Sequence, residues 1–297
     1  MRVFVTGATG FIGSAVVQEL LSAGHTVLGL ARSEAKAEEL KQVGIDVHRG
    51  DLSDPESLAA GARACDGVLH LAFNHDWANT PREVAAVIDR DVAAVMTDAL
   101  AGTDKPFVLT SGTAMLPQGK LGTEGDAGKP GVPRVASEET ALTAAGRGVR
   151  SSVLRLPPTV HGAGDKGFVP MLIDLARRTG VSAYPGDGAN VWPAVHRLDA
   201  ARLFRLALEQ AKPGTRLHAV AEEGIPVKAI AEAIGAGLNL PVRSLSGDEA
   251  AAHFGGLAEF LAFNNPTSSA LTRETFGWTP SGPELLTDMR ENGYFPE

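Results

Sequence analysis

The sequence predicts an α/β protein, a parallel sheet covered by helices on both faces. Two observations carry this. Short β-rich apolar runs alternate with segments of helical apolar spacing from residue 2 to residue 156, and the first run empties into a glycine-rich turn that opens the first helix.

Arg2–Thr6 reads as the first strand. Phe11–Ala23 has helical spacing through Ile12, Val16, Leu20 and Ala23, and Gly24 stops it. Thr26–Leu30 is the second strand, and Ser33 is placed to cap a helix carrying Ala37, Leu40 and Val43, closed by Gly44. Ile45–His48 is a third strand, and Asp54-Pro55 opens a third helix with proline in its first turn. The alternation continues with strand Val68–Ala72, helix Pro81–Ala101, strand Pro106–Thr110, helix Arg134–Ala145 and strand Ser151–Leu156. Past residue 157 it weakens. Leu198–Gln210 and Val227–Leu238 read as helices, Leu217–Val220 as a strand, and Asp248–Pro280 as helical pieces broken at Gly255-Gly256 and Pro266. The longest irregular stretch, Leu116–Pro133, holds five glycines and three prolines and reads either as an active-site flap or as a disordered surface excursion.

Composition narrows the function classes. The 297 residues are 44% hydrophobic and 21% charged, ordinary values for a globular protein. No apolar run approaches the ~20 residues of a membrane span. Met1–Gly13 lacks the order of a signal peptide, and Cys65 is the single cysteine, so no intrachain disulfide and no cysteine-based zinc site can form. The expectation is a cytoplasmic protein. With 27 basic against 35 acidic residues the formal charge is −8, which argues against a nucleic-acid partner. The eight histidines are scattered without metal-ligand spacing, and neither a GxSxG elbow nor a P-loop occurs, so no metal is expected and hydrolase and NTPase readings lack support.

Gly7-Ala8-Thr9-Gly10-Phe11-Ile12-Gly13 is a GxxGxxG turn between a strand and a helix. Gly7 permits the tight turn, Gly10 lets the backbone approach a diphosphate, and Gly13 lets the helix pack on the sheet. The diphosphate then meets free N–H groups at a helix N-terminus. Where the second strand ends, an NAD site usually presents a carboxylate to the ribose 2′-hydroxyl. Arg32 stands there instead, with the Ser33 hydroxyl beside it, and a guanidinium can hold a 2′-phosphate. That favours NADP(H) over NAD(H). Asp51-Leu52 is placed to meet the adenine.

At this point the chain resembles the extended branch of the short-chain dehydrogenase/reductase family, home of NAD(P)-dependent epimerases and dehydratases. The resemblance rests on Gly7–Gly13, Gly50-Asp51-Leu52, His70-Leu71-Ala72, Thr110-Ser111-Gly112, the segment Arg155–Gly162, Gly186-Asp187-Gly188 and Val195–Ala201, and covers essentially the whole chain. It implies a Rossmann-type doubly wound parallel sheet with a smaller C-terminal α/β substrate domain. Residues 1–160 form the NADP-binding part, 196–220 return to it, and 161–195 with 221–297 form the substrate part. It adds Leu71, Ala72, Phe73, Pro157 and Thr159 to the cofactor-binding set. It also suggests a homodimer packed through the helices near Pro81–Ala101 and Arg134–Ala145.

The departures are as informative. The family's acid/base couple is Tyr-x-x-x-Lys on one helix face, with Lys lowering the Tyr pKa. The only tyrosines are Tyr184 and Tyr294, neither followed by Lys at the fourth residue, and by register the couple falls at Arg134 and Glu138. The family's Ser or Thr falls near Gly112. Hydride transfer to a carbonyl still needs a proton donor or an oxyanion stabiliser. Ser111 and Thr113 stand at the carboxyl edge and either bond a carbonyl or satisfy loop backbone. His161 follows the sixth strand, where the family lines its nicotinamide pocket. His75 is a weaker candidate acid in a loop, and Arg134 sits over the cofactor, holds a substrate carboxylate or faces water. His196 and Asp199 read as structural. The diphosphate Arg of many sugar-nucleotide enzymes is missing near Trp192-Pro193. Phe73, Trp77, Met115, Phe168, Met171 and Trp192 are candidates for an apolar wall.

The leading expectation is an NADP(H)-dependent oxidoreductase of a small, fairly apolar carbonyl or alcohol, with the proton from Ser111, Thr113, His161 or an ordered water. An epimerase or dehydratase is the alternative within enzymes. A non-catalytic NADP(H)-binding redox sensor is the alternative outside them.

Overall fold

The structure, a computed structural model, describes residues 1–76 and 79–295. Its main sheet is seven-stranded and parallel. In chain order the strands are β1 (Arg2–Thr6), β2 (Thr26–Ala31), β3 (Asp46–Arg49), β4 (Gly67–His70), β5 (Pro106–Gly112), β6 (Arg150–Leu156) and, after the intervening β7 (Thr159–His161), β8 (Ser182–Pro185) and β9 (Val191–His196), β10 (Thr215–His218). They lie in the order β10-β6-β5-β4-β1-β2-β3, so the sheet is wound outward from β1 in both directions.

Alternation along each strand explains the layers. Val3 and Val5 face one core, with Val16 and Leu20 of α1 (Phe11–Ser22) and Leu203 and Phe204 of α7 (Arg197–Gln210). Phe4 faces the other, with Leu58 of α3 (Pro55–Arg63) and Met96 of α4 (Arg82–Ala99). Both faces are apolar because helices cover both. The α2 helix (Glu34–Gln42) is capped by Ser33, whose side chain accepts from the Lys36 amide as the sequence predicts, and α3 opens at Asp54-Pro55 as expected, with the Asp54 side chain accepting from the Ser57 amide. The strand expected to run to Ala72 stops at His70, because Ala72 turns its amide to the Thr6 hydroxyl.

The rest of the chain builds a second core. β7 and β9 pair in parallel and β11 (Glu222–Pro226) joins β9 antiparallel, while β8 pairs with β12 (Val242–Leu245). Beneath them lie α6 (Phe168–Thr179), α8 (Val227–Leu238) and α12 (Leu285–Glu291). The sequence reading does not contain β7, β8, β9, β11, β12, α6 or α12. For α6 a signal exists: Val169, Leu172, Ile173 and Ala176 follow helical spacing and are buried. The small strands have three to six residues, too few for a period-2 pattern to stand out.

The stretch Leu116–Pro133 is not a disordered excursion, because it is tied down at two points. Gly122 bridges to Thr267, donating to the Pro266 carbonyl and accepting from Ser268, each at 2.8 Å. The buried Glu124 carboxylate accepts from the amide and hydroxyl of Thr272, both at 2.7 Å, in the first turn of α11 (Ala270–Phe276). A buried carboxylate needs donors, and a helix start supplies them.

Candidate active site

The turn from β1 into α1 is built around two close approaches. Gly7 has φ +71°, and a Cβ there would meet the Ala72 amide nitrogen at 2.8 Å. A Cβ on Gly13 would lie 1.9 Å from the Gly7 carbonyl oxygen. Gly10 is the N-cap residue and offers no side chain, and α1 carries no acidic residue in its first turn. The amides of Phe11, Ile12 and Gly13 donate to no acceptor among the described residues. Bare amides at a positive helix end form an anion site that fits a diphosphate. Thr9, Phe11 and Ile12 are half-buried around it. Beneath the turn Thr6 Oγ1 accepts from Ala72 and bonds His70 Nδ1 at 2.7 Å, tying β1 to the end of β4. Arg197, which sequence reasoning did not single out, stands 5.3 Å over the Phe11 ring.

At the neighbouring strand ends Arg32 is exposed and makes no hydrogen bond or ion pair among the described residues. Ser33 Oγ is engaged as the α2 cap. Asp51 accepts from the amide and hydroxyl of Ser53 at 2.9 and 2.8 Å. Its carboxyl is held below the usual range, by the Ser53 amide first and with a contribution from the Arg32 charge. Leu52 and Leu71 are half-buried against the two faces of the sheet core.

The end of β5 is different, because the hydroxyls of both Ser111 and Thr113 are already engaged. Ser111 donates to Glu138 Oε1 at 2.6 Å, and Glu138, on α5 (Val135–Thr143), receives both Nε and Nη2 of Arg155 at 2.9 and 2.6 Å. Arg155 is fully buried. Glu138, expected by register at the lysine position, is thus half of a buried ion pair. Thr113 donates to Asn265 Oδ1 at 2.6 Å with no exposed surface, so its proton is committed and the expected donor role is not supported by this geometry. The Thr159 hydroxyl is likewise committed, donating to the Pro193 carbonyl. Pro157 is buried beside it.

Arg134 is the residue that the sequence reading sets in the tyrosine register. Its Nη2 donates to the Thr110 carbonyl at 3.1 Å, its Nε lies 3.6 Å from Asp89 Oδ2, and its guanidinium carbon sits 3.9 Å above the Phe73 ring. Asp89 also faces His70 Nε2 at 3.3 Å. Burial opposes the Asp89 charge, but His70 and Arg134 outweigh it and hold the carboxyl below its ordinary value. Burial lowers the Arg134 pKa, and Asp89 opposes that shift. A guanidinium starts so high that it stays charged at neutral pH.

His161 is not in an open pocket. It is 1% exposed, its Nδ1 is 2.8 Å from Asp288 Oδ2, and its ring meets His196 at 5.5 Å. Burial pulls its pKa down despite Asp288, so at neutral pH it is the uncharged imidazole and a poor acid. Asp199 accepts from the Ser281 and Gly282 amides, the structural role expected of it. The apolar wall is not assembled as expected. Trp192 is fully buried and Phe168 stacks on Phe260 at 4.0 Å, which makes both core residues, while Met171 is exposed on α6. Trp77 lies outside the described residues. Among the described residues no cluster of His, Cys, Asp or Glu could hold a metal ion, and no helix is long and apolar enough to cross a membrane.

A sequence profile of the NAD dependent epimerase/dehydratase family matches residues 3–220. An uncharacterized protein of Schizosaccharomyces pombe is 52% identical over 297 residues, covering 99% of this chain and 100% of that one. A 2-alkyl-3-oxoalkanoate reductase of Stenotrophomonas maltophilia is 31% identical over 226 residues, 72% of this chain and 67% of the reductase. Among solved structures, a dTDP-glucose 4,6-dehydratase from Streptomyces venezuelae with NAD bound matches with a TM-score of 0.76 at 20% identity, over 98% of both chains, a likeness of fold.

Proposed function

This chain belongs to the NAD dependent epimerase/dehydratase family, and from that premise we propose that it is an NADP(H)-dependent oxidoreductase of small, fairly apolar carbonyl compounds and their alcohols. The observation that carries the reading is the bare turn after β1. Three amides with no protein acceptor among the described residues, at a helix end without acidic residues, leave a cradle that an anion can complete. The turn from Gly7 to Gly13 would hold the diphosphate, Arg32 the 2′-phosphate, and Asp51 with Leu52 the adenine side. Leu71, Ala72 and Phe73 would line the way to the nicotinamide. When bound, the reduced nicotinamide supplies a hydride. A carbonyl rather than a sugar diphosphate is favoured because the fully buried Trp192 stands where nucleotide-sugar enzymes of the family often carry an arginine. The relative from Stenotrophomonas, named as a reductase of oxoalkanoates, supports the same substrate class.

The test is steady-state NADPH consumption with a panel of aliphatic and aromatic aldehydes, ketones and 3-oxo esters. The reading expects turnover with at least one apolar carbonyl and faster use of NADPH than of NADH. The redox-sensor reading is favoured by one observation, that Ser111 and Thr113 donate their protons to Glu138 and Asn265. Tight NADPH binding with no turnover across the panel would select it.

A further inference from the structure

We propose that Arg134, set by the sequence reading in the tyrosine register, is the oxyanion-stabilising group of this site and works without giving up a proton. The inference rests on the reductase reading above and concerns how the substrate oxygen is handled.

Four observations support it. Arg134 is at the start of α5 beside the end of β5, at the carboxyl edge where open α/β sheets bind their ligands. A cation at a helix N-terminus opposes the helix dipole, and partial burial adds a desolvation cost, so the position is electrostatically unfavourable for a merely structural arginine. The cost is offset by a built mount. Thr110 O holds Nη2, Asp89 attracts the Nε side, and Phe73 carries the guanidinium face at 3.9 Å. Asp89 is in turn steadied by His70, which is bonded to Thr6 directly beneath the glycine turn. The mount therefore links Arg134 to the anion turn through β4 and β1. The fourth observation is that Nη1 makes no hydrogen bond among the described residues, while the side chain keeps 20% of its surface exposed. A donor of fixed direction remains for a ligand.

The chemistry balances as follows. Hydride adds to the carbonyl carbon, and the C=O π pair moves onto oxygen as an alkoxide. Arg134 donates a hydrogen bond to that oxygen and keeps its proton. Solvent water then protonates the alkoxide and the resulting hydroxide is buffered by bulk solvent. NADPH, a proton and a ketone or aldehyde become NADP⁺ and an alcohol. Ser111, whose hydrogen points to Glu138, offers that oxygen no proton while that bond is kept.

The experiment compares the wild-type protein with Arg134→Met and with the charge-balanced double variant Asp89→Asn/Arg134→Met, whose folding is checked by circular dichroism and thermal melting. Removing one oxyanion donor lowers kcat about 10²–10³-fold. The expected result is a fall of that size with NADPH affinity, read by calorimetry, changed less than about threefold, and partial rescue by free guanidinium. A second readout needs no turnover. 4-Nitrophenol titrated onto wild-type protein should bind as the phenolate, with its absorbance reporting a lowered pKa, and lose that preference in both variants. An unchanged kcat, or equal phenolate preference in wild type and variants, overturns the proposal. Tighter binding of simple carboxylates than of phenolate by the wild type overturns it as well, and makes Arg134 a carboxylate anchor. If wild-type protein reduces no carbonyl, the reductase reading fails, and the phenolate titration still judges Arg134.

Discussion

The turn after β1 and the end of β5 lie at the same edge of one sheet and treat their polar groups in opposite ways. After β1 the backbone amides of Phe11, Ile12 and Gly13 are left without protein partners among the described residues, and glycine at positions 7 and 13 permits the close approaches that shape the turn. After β5 the Ser111 hydroxyl and the charges of Glu138 and Arg155 are consumed by one another, and the Thr113 hydroxyl is consumed by Asn265. Buried polar groups that satisfy each other hold a structure together, and groups left open await something else. By that criterion the amides of the turn and Nη1 of Arg134 stand among the open groups at this edge.

The comparison breaks most visibly at Gly13. A side chain there collides with the Gly7 carbonyl, so Gly13→Val should abolish measurable NADPH binding by calorimetry. Retained binding would mean the turn is not the anion site. Next comes the closed region. Glu138→Gln leaves the Arg155 charge buried and unpaired and should cost about 3–5 kcal/mol in urea unfolding. A cost near zero would show that the pair is solvated and the region open. Thr113→Val should cost about 1–3 kcal/mol by stranding Asn265, with kcat kept within about threefold. A large loss of kcat at unchanged stability would return Thr113 to the catalytic set.

The smallest effect is on pH dependence. Burial depresses the pKa values of His161, His196 and His218 below 6.5. The unfolded chain binds more protons in that window, so stability should fall as pH drops from about 6.5 toward the folded values. Asp165 and Glu222, raised by burial, act with the opposite sign at lower pH. Melting temperatures at about pH 7.5 and 5.5 test the histidine contribution. His161→Gln should flatten the difference, and an unchanged slope would show that His161 does not contribute.

The contrast also explains what could be read from sequence. The glycine turn, the Ser33 cap, the Asp54-Pro55 helix start and the alternating strands are patterns within a few residues, and they were legible. The partners that close the β5 end are not local. Thr113 and Asn265 are 152 residues apart and His161 and Asp288 are 127 apart, so no periodicity joins them. The aromatic residues expected as a wall were recognisable as apolar, but whether such a side chain lines a cleft or a core depends on its neighbours, and Phe260 made Phe168 and Trp192 core. Arg134 was visible by register, while the mount that gives it a direction draws on β1, β4, β5 and α4.

The most direct test of the account is calorimetric titration of NADPH and NADH into the wild-type protein and Arg32→Ala. A charge-assisted contact to a 2′-phosphate is worth about 1.5–3 kcal/mol. NADPH should therefore bind about 10–100-fold more tightly than NADH, and the substitution should erase the difference. Equal affinity in the wild type, or a preference untouched by Arg32→Ala, would contradict it.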